Sequence, residues 1–149
     1  SESEWEYAAL GETTAVSTPW YPWGGSEPSA TRANACGKEC VDKLRSLGIS
    51  PPQPLYQGSD GFEGTAPVGS FAFEGNTSQG ITDLGGNVSE WVSDLYKPYG
   101  GTAAAGETRR VNRGGNWLTG DDRKKLRVSK RWKDDPKLRD AIVGFRCAK

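Results

Sequence analysis

The chain has 149 residues, a formal net charge of zero and a hydrophobic content of 34%, which is enough apolar material for one small core and one domain. Its 20 glycines, 9 prolines and 6 tryptophans exclude a helical bundle, because glycine and proline interrupt helices. They predict short strands joined by long ordered loops. No stretch of about 18 consecutive apolar residues is present, so the sequence predicts no membrane-spanning helix.

Two short helices are predicted in the first third of the chain. Residues 1–10, SESEWEYAAL, begin with a capping serine at position 1 or 3 and place Trp5 and two alanines on one face. Residues 40–48, CVDKLRSLG, would form a second helix that ends at the glycine. Between them, residues 18–37 contain prolines, glycines and three aromatic rings, which predict an ordered loop.

Short strand candidates follow in the rest of the chain. The alternation in residues 66–73, APVGSFAF, predicts a strand, whereas residues 89–96, SEWVSDLY, could form a strand or a helical turn. Three more segments are β candidates: residues 111–117, 126–132 and 143–148. Together the elements predict one irregular α+β domain.

The charges are distributed unevenly along the chain. Between Glu107 and Asp140, twelve Lys and Arg residues stand against six Asp and Glu residues, so this part is basic and the remainder is acidic. A basic segment can bind nucleic acid or an acidic partner, or it can form a solvated surface. The signs are mixed in DDRKK and KDDPKLRD, which favours local pairing over one strong field, and no nucleic-acid partner is expected.

The three cysteines leave two interpretations open. Cys36 and Cys40, in CGKEC, could close a small disulfide loop or remain free thiols, and Cys147 has no obvious partner. A CxxxC pair without histidines is a poor zinc site, because zinc takes four such ligands.

The absence of histidine removes the common catalytic centres. Ser-His-Asp and Cys-His nucleophiles and the 2-His-1-carboxylate iron site all need it, and no glycine-rich phosphate loop is present. Oxygen ligands remain. In residues 83–91, DLGGNVSEW, the glycines would let Asp83 and Glu90 converge, and Asp60 with Asn34 forms a second candidate group. Carboxylates with backbone carbonyls suit calcium, although such stretches also form metal-free turns.

Seven motifs connect the chain to a known family. They are, in chain order, EWEYAA, YPWG, RAN, DGFEGTAPVGSF, DLGGNVSEW, RVNRGGNW and GFRCA. In these motifs the chain resembles the formylglycine-generating enzymes, or sulfatase-modifying-factor domains. The resemblance implies an irregular C-type-lectin-like α+β fold with short strands, few helices, long ordered loops and bound calcium. Because the family has further strands before EWEYAA, and because the chain contains no methionine, we expect a C-terminal portion of a longer protein.

The resemblance also implies two calcium sites. The first set consists of the side chains of Asn34 and Asp60 with the carbonyls of Ala35 and Phe62. The second set consists of the side chains of Asp83 and Glu90 with the carbonyls of Gly86 and Val88. The glycines of DLGGNVSEW would then turn the backbone so that its carbonyls face the ion.

The catalytic thiols of the family are missing. The family's enzymes bind copper through two cysteines shortly after the RGG motif, but residues 113–131, RGGNWLTGDDRKKLRVSKR, contain none. The two positions fall on Thr119 and near Arg123 or Lys124, whose side chains cannot replace the thiolates that Cu(I) prefers. The histidine-dependent branch that makes sulfoxides is excluded as well. We therefore expect a non-catalytic member, with formylglycine-generating oxidation of a sulfatase cysteine as the alternative.

Non-catalytic relatives include modules fused to bacterial kinases and proteases and the variable proteins of diversity-generating retroelements. These relatives use the surface formed after the RGG motif for binding. We expect a protein or peptide ligand of acidic character on residues 119–139, because charged groups surround an aromatic anchor there. An unliganded solvated loop is the alternative. The predicted ligand-binding residues are Trp117, Thr119, Asp121, Asp122, Arg123, Lys124, Arg131 and Trp132.

Three motif residues are assigned structural positions. The glycines after Arg113 would let its guanidinium turn inward, where it must find carboxylate or carbonyl partners because an unpaired buried charge is costly. The alternative is that Arg113 contacts a ligand. Trp117 would lie between the core and the binding surface. Trp91 would point into the core.

Overall fold

The computed structural model describes residues 1–11 and 19–148. Within them the chain forms two α-helices, one 3₁₀ helix and one four-stranded sheet. The elements are α1 (Glu2–Leu10), α2 (Lys38–Ser46), β1 (Ser89–Leu95), β2 (Arg110–Arg113), the 3₁₀ helix (Arg123–Leu126), β3 (Trp132–Asp134) and β4 (Val143–Gly144). None of the helices in the described part of the chain has the length and apolarity needed to cross a bilayer.

Helix α1 follows its sequence signals. Ser1 is the N-cap, its hydroxyl accepts a hydrogen bond from the backbone N–H of Glu4, and the Glu4 carboxylate bonds back to the cap. Gly11, with φ +68°, lies directly after the last turn. Trp5 and Ala9 are buried on the face that packs on the sheet, which confirms the predicted helix.

Helix α2 begins two residues earlier than predicted, at Lys38, and ends at Ser46. Cys36 and Cys40 form a disulfide and both are fully buried, so the disulfide interpretation is confirmed. Cys147 is exposed and unbonded.

The sheet has the strand order β3-β2-β1-β4. Strand β1 pairs antiparallel with β2, where Glu90 lies opposite Arg113, and parallel with β4. Strand β3 pairs antiparallel with β2 and forms one edge, with Val111 opposite Lys133. The register shifts between Trp91 and Leu95. The strand alternative for residues 89–96 is therefore correct.

Two predicted strands are wrong. Residues 66–73 form successive turns, because the N–H groups of Ser70 and Ala72 bond to the carbonyls three residues before them. The alternation there does not mark a buried face, since Val68 and Phe73 are 86% and 98% exposed. In residues 126–132 the chain continues from the 3₁₀ helix into turns, and only Trp132 belongs to a strand.

The other two β candidates are shorter than predicted. Strand β2 ends at Arg113, because Gly114 and Gly115 have φ values of +95° and +69° that leave the extended conformation. Strand β4 covers only Val143–Gly144 of the predicted segment.

Three apolar clusters form the core. The first lies between α1 and the sheet and contains Trp5 and Val111, and the third surrounds the disulfide. The second lies under the loop of residues 19–37, where fully buried Tyr21 stacks on Trp23 with ring centroids 5.2 Å apart. Residues 12–18, which include the first residue of the predicted loop, lie outside the described residues. Trp91 is only half-buried and lines a surface cavity, so its predicted place in the core is wrong.

Candidate functional site

The first predicted calcium set contains a buried oxygen that lacks a partner. Asn34 is 1% exposed, and its Nδ2 donates to the carbonyl of Gly64 at 2.8 Å and to Oδ1 of Asn87 at 3.2 Å. Its Oδ1 accepts no hydrogen bond from the residues that the structure describes. A buried amide oxygen normally has a partner, so this atom is suited to bind a cation.

Asp60 supplies the carboxylate of this set. Its Oδ2 accepts a hydrogen bond from the Tyr56 hydroxyl at 2.6 Å, and its Oδ1 accepts from the N–H of Phe62 at 3.0 Å. Burial raises the pKa of Asp60, and the Tyr56 hydroxyl opposes that rise. A nearby cation would offset the cost of keeping this half-buried carboxylate ionised.

Tyr56 joins both halves of the first set. Its hydroxyl oxygen accepts from the N–H of Ala35 at 3.1 Å and lies 3.1 Å from the carbonyl of that residue and 3.0 Å from the carbonyl of Ala33. Burial raises the pKa of Tyr56, so the group is a hydroxyl donor at neutral pH. Sequence analysis missed Tyr56, whose only signal is its place four residues before Asp60.

The second predicted set lies on a left-handed turn. Asp83, Gly86 and Asn87 have φ values of +58°, +88° and +61°. A Cβ atom on Gly86 would lie 2.4 Å from the backbone oxygen of Asn34, so only glycine fits at that position. The turn that the glycines predicted is present, and it carries the carbonyls of Gly86 and Val88.

The carboxylates of the second set already have partners. Oδ2 of Asp83 accepts from the N–H of Gly69 at 2.7 Å. Glu90 is 5% exposed, and its Oε2 accepts from the indole N–H of Trp5 at 2.7 Å. The Arg146 guanidinium donates to both oxygens of Glu90, with Nη2 at 2.6 Å from Oε1. A calcium ion here would share Glu90 with a resident cation, so this set fits calcium less well than the first.

The two sets adjoin each other. The N–H of Asn87 donates to the carbonyl of Asn34 at 2.8 Å, and the two side-chain amides are bonded. Asn87 also exchanges hydrogen bonds with the backbone of Ala66, at 2.9 and 3.2 Å. Asn87 therefore connects the segment of the first set to the turn of the second set.

Both predicted sets combine two side chains with backbone carbonyls. Within residues 1–11 and 19–148 there is no group of three or more His, Cys, Asp or Glu side chains arranged to hold a metal ion. An ion in the first predicted site would therefore take three of its four protein ligands, and one in the second site two of four, from amide and carbonyl oxygens, which calcium accepts readily.

A cleft of about 440 Å³ lies between the turn after Gly115 and the edge strand β3. Hydroxyl and amide groups form part of its lining. The hydroxyl of Ser89 donates to the carbonyl of Gly115 at 3.1 Å and accepts from Nδ2 of Asn116 at 3.3 Å. Nδ2 of Asn112 donates to Asp134 at 2.8 Å. The cleft is therefore polar at the positions where its side chains are fixed by hydrogen bonds.

Thr119 lines this cleft at a position where the resemblance places a catalytic thiol. It is 4% exposed, and its Oγ1 accepts from the N–H of Asn116 at 3.2 Å. Its carbonyl accepts from the N–H of Cys36 at 2.9 Å. The hydroxyl stabilises the turn. Because residue 119 is a threonine, no thiolate is present at this position.

The predicted ligand-binding residues fall into two groups: some line the cleft or are exposed, and others make internal contacts. Trp132 lines the cleft, with the ammonium groups of Lys125 and Lys130 at 6.0 and 4.2 Å from its ring centroid. The acidic and basic residues of the 121–124 segment are exposed, and Arg123 bonds to Glu27 at 2.7 Å.

Two other predicted ligand-binding residues make internal contacts. The side chain of Arg131 is only 7% exposed and binds Glu2 with its Nε at 2.5 Å. Trp117 packs against the disulfide cluster and donates to the carbonyl of Ala141 at 3.2 Å. Neither residue is part of the cleft lining, and their role in ligand binding stays a prediction.

Arg113 is turned inward, as predicted. Its side chain is fully buried and binds Glu2, Glu6 and the carbonyl of Val128, with Nη2 at 2.6 Å from Glu6. The guanidinium also lies 5.0 Å from the ring centroid of Trp5. This network attaches α1 to the sheet.

Short helices, a four-stranded sheet and long ordered loops define a small α+β domain, and the family match and a similar solved structure show that it is of the formylglycine-generating-enzyme-like type. The chain belongs to the family of sulfatase-modifying factor enzyme 1-like domains, which matches residues 1–149. A comparison with curated proteins found no match.

Several solved structures are similar. PvdO from Pseudomonas aeruginosa is 28% identical, with a TM-score of 0.64, over 97% of this chain and 49% of that chain. Variable protein 1 of Treponema denticola is 22% identical, with a TM-score of 0.57, over 97% of this chain and 44% of that one. CarF is 21% identical, with a TM-score of 0.56, over 96% and 43%. The chain thus spans about half the length of these proteins.

Proposed function

We propose that this chain is a non-catalytic, calcium-stabilised binding module of its family and that its ligand is a protein or peptide segment of acidic character. One observation carries the proposal: the cleft after the RGG motif is present, but Thr119 is hydrogen-bonded into its wall where a copper-binding thiol would be required. Cu(I) needs soft thiolate ligands, which a hydroxyl does not replace.

The chain's three cysteines do not compensate for this loss. Cys36 and Cys40 are joined to each other and buried in the disulfide cluster. Cys147 is a single exposed thiol beyond β4, and it is not part of the cleft lining. No pair of free thiols is available among the described residues.

The calcium part of the proposal is supported by the first site. Asn34 and Asp60 would bind the ion with their side chains, and Ala35 and Phe62 with their carbonyls. The buried, unpartnered Oδ1 of Asn34 fits such an ion. When bound, calcium would supply charge neutralisation and cross-linking of loops, and it would stabilise the fold by mass action. The calcium ion would not contact the bound peptide, because the chain's own residues would provide every contact to it.

The acidic character of the ligand is inferred from the cleft wall. Trp132 offers an aromatic surface, and Lys125 and Lys130 place two positive charges beside its ring. Aromatic side chains flanked by cations are effective anchors for acidic peptides, because the ring supplies buried area and the charges supply selectivity. Asp134 and Asp140 also line the cleft, so the attraction for acidic groups is confined to the part of the wall formed by Trp132 and the two lysines.

Fluorescence anisotropy with a labelled peptide tests the binding function. The probe is a short peptide that alternates Glu and Leu, and its matched control replaces every Glu with Gln. We expect the acidic peptide to bind, to bind more weakly as salt is raised, and to lose binding in Trp132→Ala. Trp20→Ala is the matched variant, because Trp20 also lies beside a cation, Arg127, and is exposed, but does not line the cleft.

Equal binding of the acidic and neutral peptides, or equal loss in the two tryptophan variants, would contradict the proposed ligand. The oxidase alternative has its own assay. The protein is incubated with copper, oxygen and a cysteine-containing sulfatase peptide, and the peptide mass is measured. Formation of formylglycine would overturn the non-catalytic assignment.

A further inference from the structure

Tyr56 belongs to neither the predicted metal ligands nor the cleft, yet its hydroxyl contacts two residues of the first calcium set. The Tyr56 hydroxyl lies 2.6 Å from Oδ2 of Asp60 and 3.1 Å from both the N and the O atom of Ala35. A hydroxyl carries one proton, and the short distance to a carboxylate directs that proton to Asp60. The oxygen then accepts from the N–H of Ala35.

We infer that Tyr56 is a positioning residue of the first calcium site: it fixes the Asp60 carboxylate against the Asn34–Ala35 backbone so that their oxygens are preorganised for the ion. This inference rests on the calcium part of the proposed function. Residues that orient metal ligands through hydrogen bonds commonly contribute about 10–100-fold to metal affinity.

The surrounding structure makes the hydroxyl the specific contributor. The ring of Tyr56 packs in the second apolar cluster and against Gly37, where an added Cβ would lie 2.5 Å from the ring. Phenylalanine would retain these contacts. The loop that carries Asp60 has a second anchor, because Glu39 in the first turn of α2 accepts a hydrogen bond from the hydroxyl of Ser59. Removing the Tyr56 hydroxyl therefore leaves the Asp60 carboxylate with its bond to the N–H of Phe62 but without its link to the Asn34–Ala35 backbone, while the loop keeps its anchor to Glu39.

The chain offers a matched control. Tyr21 belongs to the same apolar cluster and is fully buried, but its hydroxyl has no hydrogen-bond partner among the described residues. Tyr21→Phe therefore removes the same atom from the same cluster and leaves both calcium sets untouched.

Isothermal titration of the purified chain with calcium chloride tests the inference, together with thermal melting in calcium and in chelator. We expect Tyr56→Phe to bind calcium at least about tenfold more weakly than the wild type, and Tyr21→Phe to bind it equally well. The calcium-dependent rise in Tm should shrink in Tyr56→Phe only. A purely structural role would lower Tm by the same amount in calcium and in chelator, with no change in affinity.

A double variant and a spectroscopic measurement complete the test. In an Asp60→Asn background, Tyr56→Phe should cause no further loss of affinity, because the two groups act on one ligand. In the wild-type protein, the ¹³Cζ resonance of Tyr56 should shift on addition of calcium while that of Tyr21 does not, which requires no variant to fold. If the wild type binds no calcium, both this inference and the calcium part of the proposed function are wrong. If the wild type binds calcium and Tyr56→Phe binds it equally, or if the Tyr56 resonance does not shift, only this inference is overturned.

Discussion

Replacement of Arg113 by alanine tests whether the fold depends on one buried cation. The fully buried guanidinium binds Glu2, Glu6 and the carbonyl of Val128 and lies over the ring of Trp5. These contacts join α1 to strand β2 and to the turn before β3. Arg113→Ala would remove all of them together and leave the Val128 carbonyl without its donor.

The magnitude follows from what remains after the change. Removing one partner of a buried ion pair costs about 3–5 kcal/mol. Glu2 would keep its bonds to Arg131, and the Glu6 side chain is 36% exposed and can be solvated, so the lower end applies. We therefore expect a loss of about 3 kcal/mol in the free energy of unfolding. With a urea slope of about 2 kcal/mol per molar, the midpoint should fall by about 1.5 M.

Urea denaturation followed by circular dichroism measures this loss. Asp122→Ala and Lys124→Ala are the controls, because both side chains are exposed and such changes usually stay within about 0.5 kcal/mol. The urea midpoint of Arg113→Lys should lie between those of the wild type and Arg113→Ala, since one ammonium cannot reproduce the planar guanidinium that reaches three acceptors. Equal midpoints for Arg113→Ala and the two surface variants would refute the assignment of Arg113 to the core.

Three further predictions concern single features. Gly86→Ala should lower the free energy of unfolding, measured by urea denaturation, by about 1–3 kcal/mol, because the φ of Gly86 is +88° and the backbone of Asn34 blocks a Cβ. Gly48→Ala should lower it less, because Gly48 has a similar φ but open space around it. Arg109 holds the pKa of Glu107 at about 2, so Glu107→Gln should lower the urea midpoint at pH 7, and the difference should disappear as the pH falls from about 4.5 to 2. Equal midpoints at pH 7 would contradict the ion pair. Replacing Cys36 and Cys40 by serine should cost about 2 kcal/mol through the loss of a short loop closure, and an unchanged midpoint would show that the disulfide adds no stability.

Local signals predicted the local elements well. The capping serine and the spacing of Trp5 and the alanines are local features of α1, and they gave the correct helix. The start of α2 was misplaced because Gly37 provides no side-chain cap. Residues 66–73 were misread for a different reason. Alternation indicates a strand only when one face is buried, and here Pro67 and Gly69 form turns that expose Val68 and Phe73.

The parts of the site that sequence analysis missed are non-local. The motifs identify Asn34, Asp60, Asp83 and Glu90 as ligand candidates. They do not show that Arg146, 56 residues beyond Glu90, is its ion-pair partner, or that Tyr56 joins Asp60 to the Asn34 segment. Such contacts depend on how loops meet in three dimensions, and neither periodicity nor turn chemistry encodes that meeting.

Glu90 has two candidate roles, as a calcium ligand and as the ion-pair partner of Arg146, and the two roles predict different changes of Tm in chelator. Its oxygens accept from Trp5 and Arg146, so Glu90→Gln weakens a charged contact even when no metal is bound. The Arg146 side chain is 34% exposed, which reduces the cost of losing its partner to about 2 kcal/mol, or a fall in Tm of about 4–8 °C.

We expect Glu90→Gln to show this fall in chelator as well as in calcium. Asp83→Asn is the matched variant, because Asn retains an oxygen acceptor for the N–H of Gly69, and it should melt like the wild type in chelator. The calcium-dependent rise in Tm should persist in Glu90→Gln, since the first site supplies it. If Glu90→Gln melts like the wild type in chelator and lower only in calcium, then Glu90 acts chiefly as a calcium ligand. The Arg146 pair would then contribute nothing to stability, and the second set would be the site that holds the ion.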